Sequence, residues 1–132
     1  MNQVFDSSAL IAYFRDEVGA EEVENILREP GNRNLVHASN LCEVYYDLHF
    51  LSEQTAEAAL VTVASLGVVV RDDLDCDFWK TAGKHKASLH RISLADCYCL
   101  TLAQREDAVI ITSDHDFDKA AEQGLCRVRF IR

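Results

Sequence analysis

The chain has 132 residues, 48% hydrophobic and 27% charged, which is one domain's worth (residues 1–132) and long enough to bury a proper core. A single proline, Pro30, and five glycines exclude a collagen-like repeat, a disordered linker and a low-complexity tail. With 22 acids against 13 bases the net charge is −9, which disfavours a protein that simply coats nucleic acid. Surplus acid is either plain solubility or part of it is gathered into a cation site, and only position separates the two.

The longest nearly uncharged run, Ala58 to Val70, is too short to cross a bilayer. The first residues lack the basic start and apolar stretch of a secretory signal. The expectation is a soluble, cytoplasmic protein with no membrane partner. The five cysteines, Cys42, Cys76, Cys97, Cys99 and Cys126, are odd in number, with no Cys-x-x-Cys pair and no Cys/His spacing suited to zinc. They are expected to be reduced, buried thiols, with Cys97 and Cys99 pointing to different sides of a helix.

In chain order, Val4-Phe5 is a short apolar strand ending at Asp6. Ser7-Ser8 then open a helix with Leu10, Ile11, Tyr13 and Phe14 at helical spacing. A second helix is predicted from about Gly19 to Arg28, and Pro30-Gly31-Asn32 is the clearest turn. Leu35-Val36 reads as strand two. Ser39 is a good N-cap for the helix that follows, and Ser52 for another through Leu60 and Val63. Residues 67–71 form a strand pattern closed by Asp72-Asp73, and a helix follows around Phe78 to Leu89. Ser93-Leu-Ala-Asp96 matches a capping signature ahead of a helix to about Glu106. Residues 108–112 are the clearest strand; a short helix around Phe117 to Ala121 and a last strand near Arg127 to Ile131 follow. Strands separated by helices predict βαβ units, hence a three-layer α/β/α fold with a mostly parallel central sheet. The apolar, non-alternating strands at 67–70 and 108–111 predict burial on both sides.

In such a sheet the binding crevice lies beyond the carboxyl ends of the strands. Asp6 ends strand one, Asp114 lies just past strand 108–112, and Glu43 lies in the first turns of the helix leaving strand two. Asp96 opens a helix that runs antiparallel to the strands, so it too starts at the carboxyl edge. Singly, each acid has a structural explanation, since the helix dipole favours an acid in a first turn by about 0.3–1 kcal/mol. Jointly they do not: two unit charges 4 Å apart repel by about 4 kcal/mol at an effective dielectric near 20. Clustered carboxylates must spread, take up protons or hold a cation. An all-oxygen set suits hard Mg²⁺ or Mn²⁺, and the absence of Cys and His among the four argues against zinc.

Phe5-Asp6-Ser7-Ser8-Ala9-Leu10, Asn40-Leu-Cys-Glu43-Val44, Ser93-Leu-Ala-Asp96 and Ile111-Thr-Ser-Asp114-His-Asp116-Phe117 resemble, in order and spacing, the four acidic motifs of PIN-domain ribonucleases. The compact size resembles the VapC-type toxins of toxin–antitoxin pairs. The likeness spans the chain from residue 5 to the last strand. It implies a PIN-like fold and an Mg²⁺- or Mn²⁺-dependent endoribonuclease in which Asp6, Glu43, Asp96 and Asp114 are catalytic and Asp6, Asp96 and Asp114 hold metal. Asp116 falls where many relatives carry a further supporting acid at the metal, and Ser7 where relatives often have a hydroxyl beside the first acid. It also implies an antitoxin partner and a homodimer. Where relatives usually carry small residues after the third acid, this chain has Cys97-Tyr98-Cys99.

An acidic ribonuclease needs a local anchor for RNA. From Phe78 to Ala95 there is no acid, while Lys80, Lys84, Lys86 and Arg91 are joined by His85 and His90. This stretch leads into Asp96 and reads either as a phosphate-binding strip or as a solvated helix face. His115 reads as an exposed loop histidine, and Tyr13, Phe14, Tyr45 and Tyr98 as core or interface. A phospho-receiver domain would need an acidic pair after strand one, but the pair Asp72-Asp73 follows strand three. The scattered glycines supply no dinucleotide or P-loop motif. The remaining rival is a catalytically silent PIN-fold module that binds RNA or a protein without cutting. A silent module should bind RNA equally well with or without Mg²⁺.

Overall fold

The computed structural model describes residues 1–132. Five strands, β1 (Asn2–Phe5), β2 (Arg33–His37), β3 (Val69–Arg71), β4 (Val109–Thr112) and β5 (Arg127–Phe130), form one sheet in the order β3-β2-β1-β4-β5, with every neighbouring pair parallel. The helices are α1 (Ser7–Phe14), α2 (Ala20–Arg28), α3 (Ala38–His49), α4 (Glu53–Ser65), α5 (Cys76–Leu89), α6 (Leu94–Arg105) and α7 (Asp118–Glu122), with a 3₁₀ turn at His115–Phe117. This is the expected α/β/α fold with a wholly parallel sheet.

Register explains the two layers. Val4 pairs with Leu35 and Ile110, and all three enter the core beneath α5, α6 and α7, with Phe78, Leu100 and Phe117. The next residue along, Phe5, pairs with Val36 and Ile111, and these enter the core beneath α1 to α4, with Leu10, Ile26 and Leu48. Period-two alternation thus feeds both faces of one strand into separate cores. Each fully buried large side chain stabilises the fold by about 1.5–3 kcal/mol. The chain builds outward from β1 to β3 on one side, then returns to lay β4 and β5 on the other. The strand order therefore reverses between β1 and β4, where a parallel sheet opens a crevice at its carboxyl edge.

Three local expectations differ from the structure. The 67–71 strand is not buried on both faces: Val69 and Val70 are 43% and 47% exposed, because β3 is the edge strand of the sheet and is only partly covered. An apolar run cannot by itself distinguish the centre of a sheet from its edge. The α3 helix is capped by His37, whose Nδ1 accepts from the Ser39 N–H, because β2 passes into the helix with no loop between them. Cys42 and Cys76 are exposed, while Cys97 and Cys99 are both buried. The last two lie on different sides of α6, but that helix is enclosed on nearly all sides, with seven buried residues from Asp96 to Ala103.

An ion network ties the β3 edge to the α5–α6 pair. Arg105 meets Asp75 at 2.6 Å and Asp73 at 3.0 Å, Arg71 meets Asp73 at 2.8 Å and also Glu106, and Arg33 meets Glu106 at 2.9 Å. The Arg105 guanidinium also lies 5.1 Å from the Phe78 ring centre, and the His37 ring stacks on Phe78.

Gly19, which precedes α2, has φ +98° and would place a Cβ 2.9 Å from both Cδ1 and the carbonyl oxygen of Ile131. Gly19→Ala is expected to lower stability by about 1–3 kcal/mol, through left-handed strain and a backbone clash that no rotamer relieves. Thermal denaturation should register this as a fall of several degrees, and an unchanged midpoint would refute it.

Candidate metal centre

Asp6 follows the last residue of β1 and caps α1, its Oδ1 accepting from the Ala9 N–H at 3.1 Å and from the Ser8 hydroxyl at 2.8 Å. Its other oxygen, Oδ2, accepts from the Thr112 hydroxyl at the end of β4. The Thr112 oxygen also accepts from the Asp114 N–H at 2.9 Å, and the Ser8 oxygen from the Ser113 N–H at 3.0 Å. Two hydroxyls therefore stitch the ends of adjacent strands and aim the first and fourth acids at one point. Asp114 itself caps the 3₁₀ turn through the Asp116 N–H at 2.8 Å.

Asp96 sits in the first turn of α6, where the Ser93 hydroxyl accepts its N–H at 3.1 Å. The start of α6 is held to α3 by Asn40, which is fully buried and donates from Nδ2 to the Ala95 carbonyl at 3.1 Å. Glu43 follows Asn40 by one helical turn. One carboxylate oxygen each from Asp6, Asp96 and Asp114 lie within 4.8 Å of one another. Asp6 is 1% and Asp96 6% exposed, so two of the three charges are almost out of water.

The electrostatics follow from that burial. Desolvation pushes the Asp6 carboxyl up to about 6 against its hydrogen bonds to Thr112, Ser8 and Ala9, with Asp114 adding to the rise. Desolvation pushes Asp96 up to about 7, reinforced by the charges of Asp6, Asp114 and Glu43 and opposed by Ser93. Glu43 is also raised, by burial and by Asp114, with the Ser7 side chain pulling the other way. Its Oε1 is buried and has no hydrogen-bond partner, and the same holds for Oδ1 of Asn40 one helical turn earlier. Buried carboxylates that repel one another, with an orphaned acceptor alongside, fit a site completed by a cation. The donor set is all oxygen, which suits Mg²⁺ or Mn²⁺.

The structure brings Asp6, Asp96 and Asp114 into one cluster, with Glu43 close enough to influence Asp96 and Asp114. Asp116 is not in that cluster; it is exposed and lines the neighbouring cleft. The hydroxyls bonded to Asp6 belong to Ser8 and Thr112, while Ser7 acts on Glu43. Among the basic residues, Lys80, Lys84 and Arg91 are exposed, whereas the Lys86 ammonium donates to the carbonyls of His90 and Ile92 and fixes the turn ahead of α6. Thr112, Ser8 and Asn40 stand out as supporting residues only once the chain is folded. Their signal was present as the hydroxyl two residues before Asp114, the one two residues after Asp6, and an amide one turn before Glu43.

Fold and site define a parallel α/β/α domain with a carboxylate cluster at the switch point of its sheet. The chain belongs to the PIN domain family, whose model matches residues 4–123. None of the curated proteins matches the sequence. Solved structures do match in fold. VapBC2 from Rickettsia felis, bound to a DNA fragment from their promoter, superimposes with a TM-score of 0.76 at 13% identity, covering 98% of each chain. VapC20 of Mycobacterium tuberculosis, a sarcin-ricin loop cleaving toxin, gives 0.74 at 16% identity over 89% of this chain and 94% of that one. VapBC-1 from nontypeable Haemophilus influenzae gives 0.71 at 19% identity over 99% and 98%. No helix of the chain is long and apolar enough to cross a membrane.

Proposed function

We propose that this PIN domain is a metal-dependent endoribonuclease, the toxin of a toxin–antitoxin pair. The observation that carries the reading is the trio of oxygens from Asp6, Asp96 and Asp114 within 4.8 Å, two of them from almost fully buried side chains. No lysine, arginine or histidine of the chain pairs with any of the three. The toxin role draws support from structural neighbours that are toxin–antitoxin complexes, one of them from Klebsiella pneumoniae, and the RNA substrate from the activity named for VapC20.

Asp6, Asp96 and Asp114 would hold Mg²⁺ or Mn²⁺, with Asp116 available as a further acid if its turn adjusts. A bound divalent ion supplies charge neutralisation at the phosphodiester and lowers the pKa of water. The protein's own part is positional. Thr112 and Ser8 lock the rotamer of Asp6, and the Asn40–Ala95 bond holds α6 so that Asp96 stays in reach. Glu43, its pKa raised and its Oε1 without a partner, would position the metal or the attacking water. Products carry a 5′-phosphate and a 3′-hydroxyl. Lys80, Lys84 and Arg91 contact the RNA backbone. The net charge of −9 makes a basic antitoxin segment the fitting partner, and the likeness to VapC-type toxins implies a homodimer.

The test is incubation of the purified chain, freed of any partner, with a mixed RNA pool in Mg²⁺, in Mn²⁺ and in EDTA, with end-group analysis of the fragments. Cleavage only with metal, leaving 5′-phosphates, is the expected result. A 2′,3′-cyclic phosphate would sink the mechanism, because it requires the ribose 2′-hydroxyl as nucleophile.

A further inference from the structure

Beside the carboxylate cluster lies an open cleft of about 580 Å³, walled by the turn between α5 and α6 (Leu89, His90, Arg91) and by the 3₁₀ turn and α7 (His115, Asp116, Asp118, Lys119, Glu122). That volume suits a single nucleotide. Every arginine in the chain meets a carboxylate except Arg91. Arg91 and Lys119 line the cleft as cations without a carboxylate partner, beside Asp116 and Glu122, which pair with no cation, and Asp118, which is engaged by His115 Nδ1 at 3.3 Å.

The His115 ring is fixed on every side but one. One face stacks on Phe130, with centroids 4.1 Å apart and planes at 5°, and Nε2 reaches the Arg132 carbonyl at 3.1 Å. The side chain is nonetheless 59% exposed, so an immobilised flat ring presents its outer face. Across the cleft His90 is a non-glycine residue at φ +55°. Lys86 pins this strained turn through the His90 and Ile92 carbonyls. Strain of this kind persists only where surrounding structure holds it, and here it lies directly before the exposed Arg91.

Resting on the nuclease reading above, we infer that this cleft seats the nucleotide adjoining the cleaved phosphodiester, its base stacked on His115 and its phosphate held between Arg91 and Lys119. A rigid ring stacks on any base, and a free guanidinium is a bidentate phosphate donor.

The test is an amide NMR titration of the wild-type chain in EDTA with the dinucleotides ApA and UpU, beside inorganic phosphate. Both dinucleotides should shift residues 89–91 and 115–119, and phosphate alone residues near Arg91 and Lys119 only. Arg91→Ala and His115→Ala should each weaken dinucleotide binding about tenfold. His115→Phe, which keeps a stacking face but loses both ring hydrogen bonds, should hold affinity within about twofold. Shifts elsewhere, no shifts, or a His115→Phe as weak as His115→Ala would overturn the proposal. Should His115→Ala fail to fold, the exposed Arg91→Ala decides. RNA cleaved by a protein whose cleft ignores both dinucleotides removes this inference and leaves the nuclease standing. Dinucleotide seated in the cleft of a protein that cuts no RNA supports the seat and removes the nuclease.

Discussion

Asp96→Asn is expected to lower metal-dependent RNA cleavage roughly a thousandfold while leaving the fold intact. The side chain is 6% exposed and shares its cluster with Asp6 and Asp114, and the amide keeps its shape while removing its charge. A divalent ion contributes several kcal/mol of charge stabilisation in the transition state, and about 4 kcal/mol corresponds to three powers of ten in rate. Mn²⁺ binding, followed by calorimetry, should fall in parallel. Thr112→Val makes a graded control. It removes the hydroxyl that donates to Asp6 and accepts from the Asp114 N–H without touching a ligand atom, and losses of about 10–100-fold are usual for such supporting groups. If Asp96→Asn cleaves RNA as well as the wild type, the cluster is not the reaction centre. If neither protein cleaves RNA and neither binds metal, the silent binding module is the better description.

The second expectation concerns stability. Asp6 and Asp96 ionise near 6 and 7 in the folded chain, against an ordinary value of 3.8. The folded protein therefore binds more protons than the unfolded one between about pH 4 and pH 7, and its stability falls as pH rises across that window. Each pH unit separating folded and unfolded values is worth about 1.4 kcal/mol, so the metal-free protein should be less stable at about pH 8 than at about pH 5 by roughly several kcal/mol from these two groups. The ion network sets the opposite limit. Asp75 is held near 2 by Arg105, and Asp73 and Glu106 are lowered by Arg71. Their contribution is present above the ordinary carboxylate range and is lost as pH falls below it. A melting midpoint in EDTA that peaks near about pH 5 is the expected profile. Saturating Mg²⁺ should shift the peak toward neutrality, since a hundredfold excess over Kd adds about 2.7 kcal/mol. In EDTA at about pH 8, Asp96→Asn should melt higher than the wild type by roughly 5 °C, an inversion of its effect on activity. A wild-type midpoint in EDTA that is flat from pH 5 to 8 would falsify the electrostatic account.

Much of this was legible in the sequence for definite physical reasons. Val4-Phe5, Leu35-Val36 and residues 108–112 declare strands because alternate residues must fill separate cores on the two sheet faces. The helices between them declare parallel pairing. The direction of those helices then carries Asp6, Glu43, Asp96 and Asp114 to the same edge from segments far apart in the chain. Capping by Ser52 and Ser93 was readable because a hydroxyl ahead of a helical pattern has few other uses, and both accept the expected backbone N–H groups.

What needed the tertiary structure was everything set by neighbours distant in sequence. Edge position exposes the valines of β3, which hydropathy alone would bury. The abrupt passage from β2 into α3 gives the cap to His37 instead of Ser39. Enclosure of α6 buries two cysteines that point in different directions. At the site, three-dimensional proximity assigned the Asp6 hydrogen bonds to Ser8 and Thr112, left Asp116 in the neighbouring cleft, and turned Lys86 inward to brace a turn. Residue type and periodicity determine which groups reach the carboxyl edge, because strand and helix directions are local properties. Which atoms touch there is decided by loop geometry and burial, and these exist only once the whole chain has packed.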